Sequence, residues 1–228
     1  MRDLAKNRII KFMRDNGGYF GIIGAISMAL SALISFFFNC SVNPNFNIVS
    51  YAVSDLVSGP MISSIIYSVG LIIASFCQIP TYISLINYFT IKENYPFLFK
   101  ITALSSFLAI ISHNILSLVP SERNVLLLFL THDIAAGIHY VTGTISLILI
   151  GRIELLDIKI SKILMIISFT TGVLYGIVWI RYLLSLIVGI EELFMYYLFQ
   201  WFALVGVILW SLSHGIFLLK AKKRDQCV

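Results

Sequence analysis

The chain has 228 residues, 59% of them hydrophobic and only 12% charged, with a mean hydropathy of +0.94 and a formal net charge of +5. Soluble domains carry about twice that share of charge, so the composition excludes a water-soluble globular protein and selects the multi-span helical membrane class. A membrane β-barrel is excluded as well: its strands are short and alternate in polarity, whereas the apolar runs here extend for roughly 20 residues or more without alternation.

Residues 1–18 are polar and basic, with Arg2, Lys6, Arg8, Lys11 and Arg14. The apolar run that follows, over about 19–38, is too long for the core of a signal peptide and has no small-residue cleavage site after it, so it reads as a retained first span. Gly24, Ser27, Ser31 and Ser35 recur on it at helical spacing. A row of small residues of this kind lets two helices approach closely and predicts packing rather than chemistry. The polar segment 41–59 contains no Lys or Arg and ends at Pro60, which suits the first turn of a helix. The Asn39-Cys40-Ser41 sequon abuts the end of the first span and is not read as a glycan site.

Span two covers about 61–89, with Pro80 inside it as a candidate kink. Span three covers about 101–119 and carries Thr102, Ser106, Ala109, His113 and Ser117 as a small and polar stripe. After the break at Pro120, residues 125–130 form either a short interfacial helix or an extension of span four, which covers about 131–150. Residues 151–162 read as a charged link, with Arg152, Glu154, Asp157, Lys159 and Lys162. Span five, about 163–184, holds the close-packing pair Gly172 and Gly176, and its face of Tyr175, Trp179 and Tyr182 fits packing and an interfacial belt better than a ligand cage. Span six covers about 193–219, with Gln200, Ser211 and His214 near one stripe, and a basic tail of 220–228 follows. The expectation is therefore one all-α membrane domain of six spans over 19–219, between a basic N-terminus and a basic tail.

Fourteen of the sixteen Lys and Arg fall at the two termini and in the links after spans two and four; only Arg123 and Arg181 fall on the other side. By the positive-inside rule both termini are expected in the cytoplasm, and the protein in the plasma membrane. The basic residues thus act as topology signals, and no nucleic-acid partner is expected. The three cysteines, Cys40, Cys77 and Cys227, form no metal-knuckle spacing and suggest no disulfide framework.

The unusual polar groups then gather toward the outer side. His132 and His139, seven residues apart, share one helix face with Ala136 and Gly143. Polar groups on a stripe of small residues are expected to face a bundle interior rather than lipid. Two turns separate the two imidazoles by about 10 Å along the axis, which argues against one ion bound between them. Against a zinc site across helices using His113 stands plain interhelical hydrogen bonding, which is favoured. Bis-imidazole haem ligation by His113 and His139 has no support in the sequence, so no metal and no cofactor is assigned. Ser54 has no nucleophile elbow around it. Arg181 suits either a phosphate headgroup or pairing with Glu191 or Glu192.

Six spans, Ser54-Asp55-Leu56 with Pro60 opening span two, and Pro120 followed twelve residues later by His132 together resemble the prokaryotic membrane family known as domain of unknown function 998. That family is distantly similar to the DRAM-like and Frag-like membrane proteins. The resemblance spans about 19–219, although Val57 and the Ile66-Tyr67 region depart from the family pattern. It implies a six-helix fold, a prokaryotic source and a lipid-related role, and it singles out His132 over His139. The expected function is an outward-facing polar pocket associated with membrane lipid or another small ligand. Asp55, His132 and Asp133 are the candidates for chemistry, and His113, His139 and Arg181 the candidates for ligand binding. Two alternatives stand beside it: an enzyme acting on a lipid headgroup, with His132 as general base oriented by Asp55, and a small transporter.

Overall fold

The computed structural model of the chain describes residues 2–120, 125–188 and 196–226. Every regular element among them is a helix: α1 (Arg2–Val42), the short α2 (Asp55–Ser58), α3 (Met61–Tyr88), α4 (Pro96–Leu118), α5 (Leu126–Leu156), α6 (Lys162–Val188) and α7 (Tyr196–Gln226). Six of the seven are long and apolar enough to cross a membrane. This is the architecture the composition demands, because a backbone in hydrocarbon must satisfy its own hydrogen bonds.

The boundaries differ from the sequence reading in an instructive way. The basic N-terminal segment is already helical from Arg2, so α1 continues well beyond its apolar run. Residues 126–130 belong to α5 rather than to a separate interfacial helix. That helix also continues through Gly151 to Leu156, so the expected charged link begins only at Asp157. Pro96 occupies the first turn of α4, where its missing N–H costs nothing. Pro80 lies inside α3, which runs on past it.

Each long helix packs on the next one along the chain, and α7 returns to pack on α1. The result is a closed ring of six helices, with α3 also touching α7 across it. The α1–α3 seam is built from the small-residue row. Ser27 donates to the Gly70 carbonyl (3.2 Å), and Ser35 and Ser63 exchange bonds with each other's carbonyls at 2.8 and 3.1 Å. Asn39 donates to Ser63 Oγ (2.7 Å) and is buried, so its side chain is committed to this seam. A Cβ on Gly70 would sit 2.1 Å from Ser31 Oγ, so only glycine permits this approach. On the far side of the ring, Gly172 and Gly176 of α6 lie against Ile148 and Thr144 of α5, as the spacing predicts.

The end of the bundle that carries the termini is sealed by polar contacts. Thr90, after α3, donates from its backbone N–H (2.8 Å) and its hydroxyl (3.0 Å) to Asp157 Oδ2 at the C-cap of α5. Asp157 is buried, and its other oxygen accepts from the Lys159 N–H. Lys222 donates to the Asp15 carbonyl across the α1–α7 seam (2.8 Å). At the opposite end the segment 43–60 folds back over the ring, burying Phe46, Ala52, Leu56 and Val57. Trp201 of α7 holds it there through its indole N–H to the Tyr51 carbonyl (3.0 Å).

Candidate functional site

Beneath that folded-back segment lies a chamber of about 680 Å³, to which all six long helices contribute. Such a volume is in the range of small-molecule sites. Its wall includes Ala52, Val53, Ser54, Asp55 and Val57 from the roof, and His132, Asp133, Ala136, His139 and Tyr140 from α5. Residues 132, 136, 139 and 140 share one face because they recur at three- and four-residue spacing. The next residue of that face, Gly143, lets Tyr175 of α6 lie against α5: a Cβ there would meet the ring at 2.7 Å. Apolar wall is supplied by Met28, Leu71, Leu116, Phe129, Leu204 and Val207.

At the inner part of the chamber His113 of α4 and His139 of α5 stand edge to face, ring centroids 4.9 Å apart at 69°. His139 continues into Tyr140 and Tyr175, each with ring centroids 5.3 Å away. A backbone carbonyl only accepts, so the 3.0 Å contact between His139 Nδ1 and the Ala109 carbonyl fixes Nδ1 as the donor. In the neutral ring Nε2 is then the acceptor. His113 is 7% exposed and lines the chamber, and among the described residues no hydrogen bond reaches its ring nitrogens. The ring is thus free to bond to a polar group that enters the chamber. The edge-to-face contact also leaves no room for a macrocycle between the two rings. Among the described residues no group of three or more His, Cys, Asp or Glu is arranged to hold a metal ion.

The other expected residues divide. Asp55, His132 and Asp133 line the same chamber near its roof. His132 does not pair with Asp55: its Nδ1 donates to the Val119 carbonyl at the end of α4 (2.7 Å), while Asp55 Oδ2 accepts from the Ala52 N–H (2.6 Å). The expected pairing of His132 with Asp55 is thus not formed. Arg181 is half-buried on α6, outside the chamber wall. Glu122, Arg123, Glu191 and Glu192 lie outside the described residues.

Sequence reasoning did not single out Tyr67, Tyr140 or Tyr197 as wall residues, nor assign Tyr175 and Tyr182 to a ligand space. For Tyr140 and Tyr175 the available signal was a tyrosine near the middle of a span, where its hydroxyl needs a polar neighbour.

A second polar cluster closes the bundle on the side of the termini. Ser106 and Ser146 share a hydrogen bond (2.6 Å), and the indole N–H of Trp210 donates to Ser168 (3.0 Å). The His214 ring stacks on Trp210, with centroids 4.4 Å apart. His214 Nδ1 donates to the Trp210 carbonyl (2.7 Å), and Nε2 meets Glu154 Oε1 at 2.5 Å. Both side chains are fully buried, and Glu154 Oε2 has no partner among the described residues. With Nδ1 committed as a donor, one proton lies between Nε2 and Oε1, on whichever atom holds it. Glu154 is therefore a deep brace between α5 and α7 and not part of a solvated link.

No family model, curated protein or solved structure matches the chain.

Proposed function

We propose that this membrane protein holds an amphipathic small molecule, non-covalently, in the chamber enclosed by its helix ring. One observation carries the reading: His113 lines the chamber and has no hydrogen-bond partner among the described residues, beside the acceptor Nε2 of His139. The apolar wall suits a hydrocarbon portion, and the imidazoles and tyrosines suit a polar end. A lipid-related role within the family resembled by Ser54-Asp55-Leu56, Pro60, Pro120 and His132 is compatible with this reading.

The test is to purify the protein in native-lipid particles without detergent, extract it, and identify the bound species by mass spectrometry. A defined species near one per chain is expected. It should be depleted in His113→Leu, by about ten-fold in affinity if one hydrogen bond of roughly 1.5 kcal/mol is lost. An extract indistinguishable from bulk membrane lipid, with the variant unchanged, would overturn the reading.

We further propose that the chamber opens to the exterior of a plasma membrane, on the strength of the Lys and Arg distribution. In a background where the native cysteines are replaced, Asn45→Cys, on the exposed roof segment, should react with a membrane-impermeant maleimide in intact cells. Lys223→Cys should react only after permeabilisation. The reverse pattern would invert the protein in the membrane.

A further inference from the structure

Independently of the chamber, we propose that the cleft between α1, α3 and α7 on the side of the termini holds the phosphate of an anionic membrane lipid. The cleft has a volume of about 380 Å³, and its wall includes Arg14, Asp15, Ser84, Tyr88 and Lys222. Each pair of helices around it is pinned. Ser84 of α3 donates to the Met13 carbonyl of α1 (3.2 Å), and Lys222 of α7 donates to the Asp15 carbonyl of α1 (2.8 Å). Tyr88 of α3 stands edge to face on Phe217 of α7, ring centroids 5.0 Å apart. The cleft is thus formed before anything enters it, which lowers the cost of binding. Its two cations are aimed by what they already touch. Arg14 commits its Nε to Asp15 Oδ1 (3.0 Å), so the terminal amino groups of the guanidinium fork point past that carboxylate. The side chain is half-exposed and can be reached from the headgroup layer. A lysine ammonium has three N–H groups, and Lys222 commits one of them to the Asp15 carbonyl. A phosphate can take two parallel bonds from the fork and a third from the ammonium.

Depth and charge select the ligand. Arg14 lies five residues before the apolar run that begins at residue 19, and Lys222 three residues after Leu219. At the helical rise per residue both stand about 5–7 Å beyond the hydrocarbon, within the headgroup layer of a bilayer. Leu218 and Leu219 line the cleft on the bilayer side of the cations, where a glycerol backbone and the start of an acyl chain would lie. Residues 1–18 and 220–226, which the α1–α7 seam brings together, carry nine Lys and Arg against three Asp. Such a surplus attracts a lipid of net negative charge and repels the choline end of a zwitterionic one. The Asp15 carboxylate in the wall is outnumbered by the two cations beside it. The shared chemistry is a phosphate ester without a cation of its own, on a lipid or on a soluble glycerol phosphate, and the apolar side of the cleft favours the lipid.

The test is native mass spectrometry of the full-length protein released from discs that hold equal amounts of phosphatidylglycerol and phosphatidylcholine. Close to one retained phosphatidylglycerol per chain is expected, about ten-fold over phosphatidylcholine, the equivalent of one charge-assisted hydrogen bond. The double variant Arg14→Gln with Lys222→Gln should bring the two lipids to within about two-fold of each other. Lys220→Gln with Lys223→Gln removes the same charge from exposed positions outside the cleft wall, and should keep the preference within about two-fold of the parent. Equal loss in both double variants overturns the cleft and leaves only a diffuse basic surface. A parent without preference overturns the inference outright. So does a cleft variant, monodisperse and helical, that keeps the full preference. Glycerol 3-phosphate separates the two sources: in millimolar excess it should leave the lipid in place, and displacement overturns the lipid in favour of a soluble phosphate. If the cleft double variant does not fold, Lys222→Gln alone is read instead, with a loss of about three-fold or more expected and an unchanged preference overturning the inference.

Discussion

His214→Ala is expected to destabilise the bundle by about 3–5 kcal/mol, the penalty for removing one member of a buried, hydrogen-bonded charge pair. Both side chains are fully buried, and one Glu154 oxygen already has no partner among the described residues. The variant leaves the carboxyl with neither oxygen bonded, in a place that water does not reach. Glu154→Gln should cost less, about 1–2 kcal/mol, because the amide N–H can still donate to Nε2 of a neutral imidazole. The double variant Glu154→Leu with His214→Leu should cost less than His214→Ala alone, since replacing both partners removes the unmet polar group. Midpoints of unfolding in mixed detergent and dodecyl sulfate, followed by helix content, would establish the order. A His214→Ala protein as stable as the parent would mean that Glu154 reaches water after all.

That pair also marks where sequence reasoning lost the thread. Arg152, Lys159 and Lys162 flank Glu154, and by composition the stretch reads as a solvated link. Its periodicity says otherwise: Leu147, Ile150, Gly151 and Glu154 recur at helical spacing, and all four are buried. Local charge density therefore masked one inward-facing carboxylate. Asp157 left no comparable trace, because its partner Thr90 is 67 residues away and the bond depends on how two helix ends meet.

Close packing was far more legible. A glycine pair four apart, or a serine row at helical spacing, states a steric requirement within one helix, and the partner helix has only to be smooth enough to fit. That is why Gly172, Gly176, Ser27 and Ser35 could be read directly. The face shared by His132, Ala136 and His139 was legible for the same reason, since it follows from spacing alone. The pairing of His132 with Asp55 was not, because the group that holds His132 is the Val119 carbonyl. Backbone acceptors have no residue type, and a sequence cannot advertise them. The chamber itself depends on six helices closing into a ring, a property of seams rather than of any motif.

The seam that closes that ring supplies the other large effect. Gly215→Ala is expected to cost about 1–3 kcal/mol, the range for forcing a methyl group into a filled interface. A Cβ on Gly215 would lie 2.8 Å from the Gly18 carbonyl oxygen and 2.9 Å from the Ile22 nitrogen. Both are backbone atoms, so no side-chain rotation relieves the overlap, and α1 and α7 must separate. Gly18 faces the same seam, with its own Cβ position 2.8 Å from the Gly215 carbonyl. Once either glycine has pushed the helices apart, the second methyl group meets a looser interface. The double variant Gly18→Ala with Gly215→Ala should therefore cost less than the two single variants together, by about 0.5–3 kcal/mol. Gly215→Val, with two further methyl groups against the same backbone, should cost more than Gly215→Ala. The effect should reach the chamber, because Met28 on α1 and Val207 on α7 line it from either side of this seam. Ligand retention and unfolding midpoint, measured on the same preparations, should therefore fall together. A Gly215→Val protein with parental stability would show that α1 and α7 are not in backbone contact, and the ring would be open at that point.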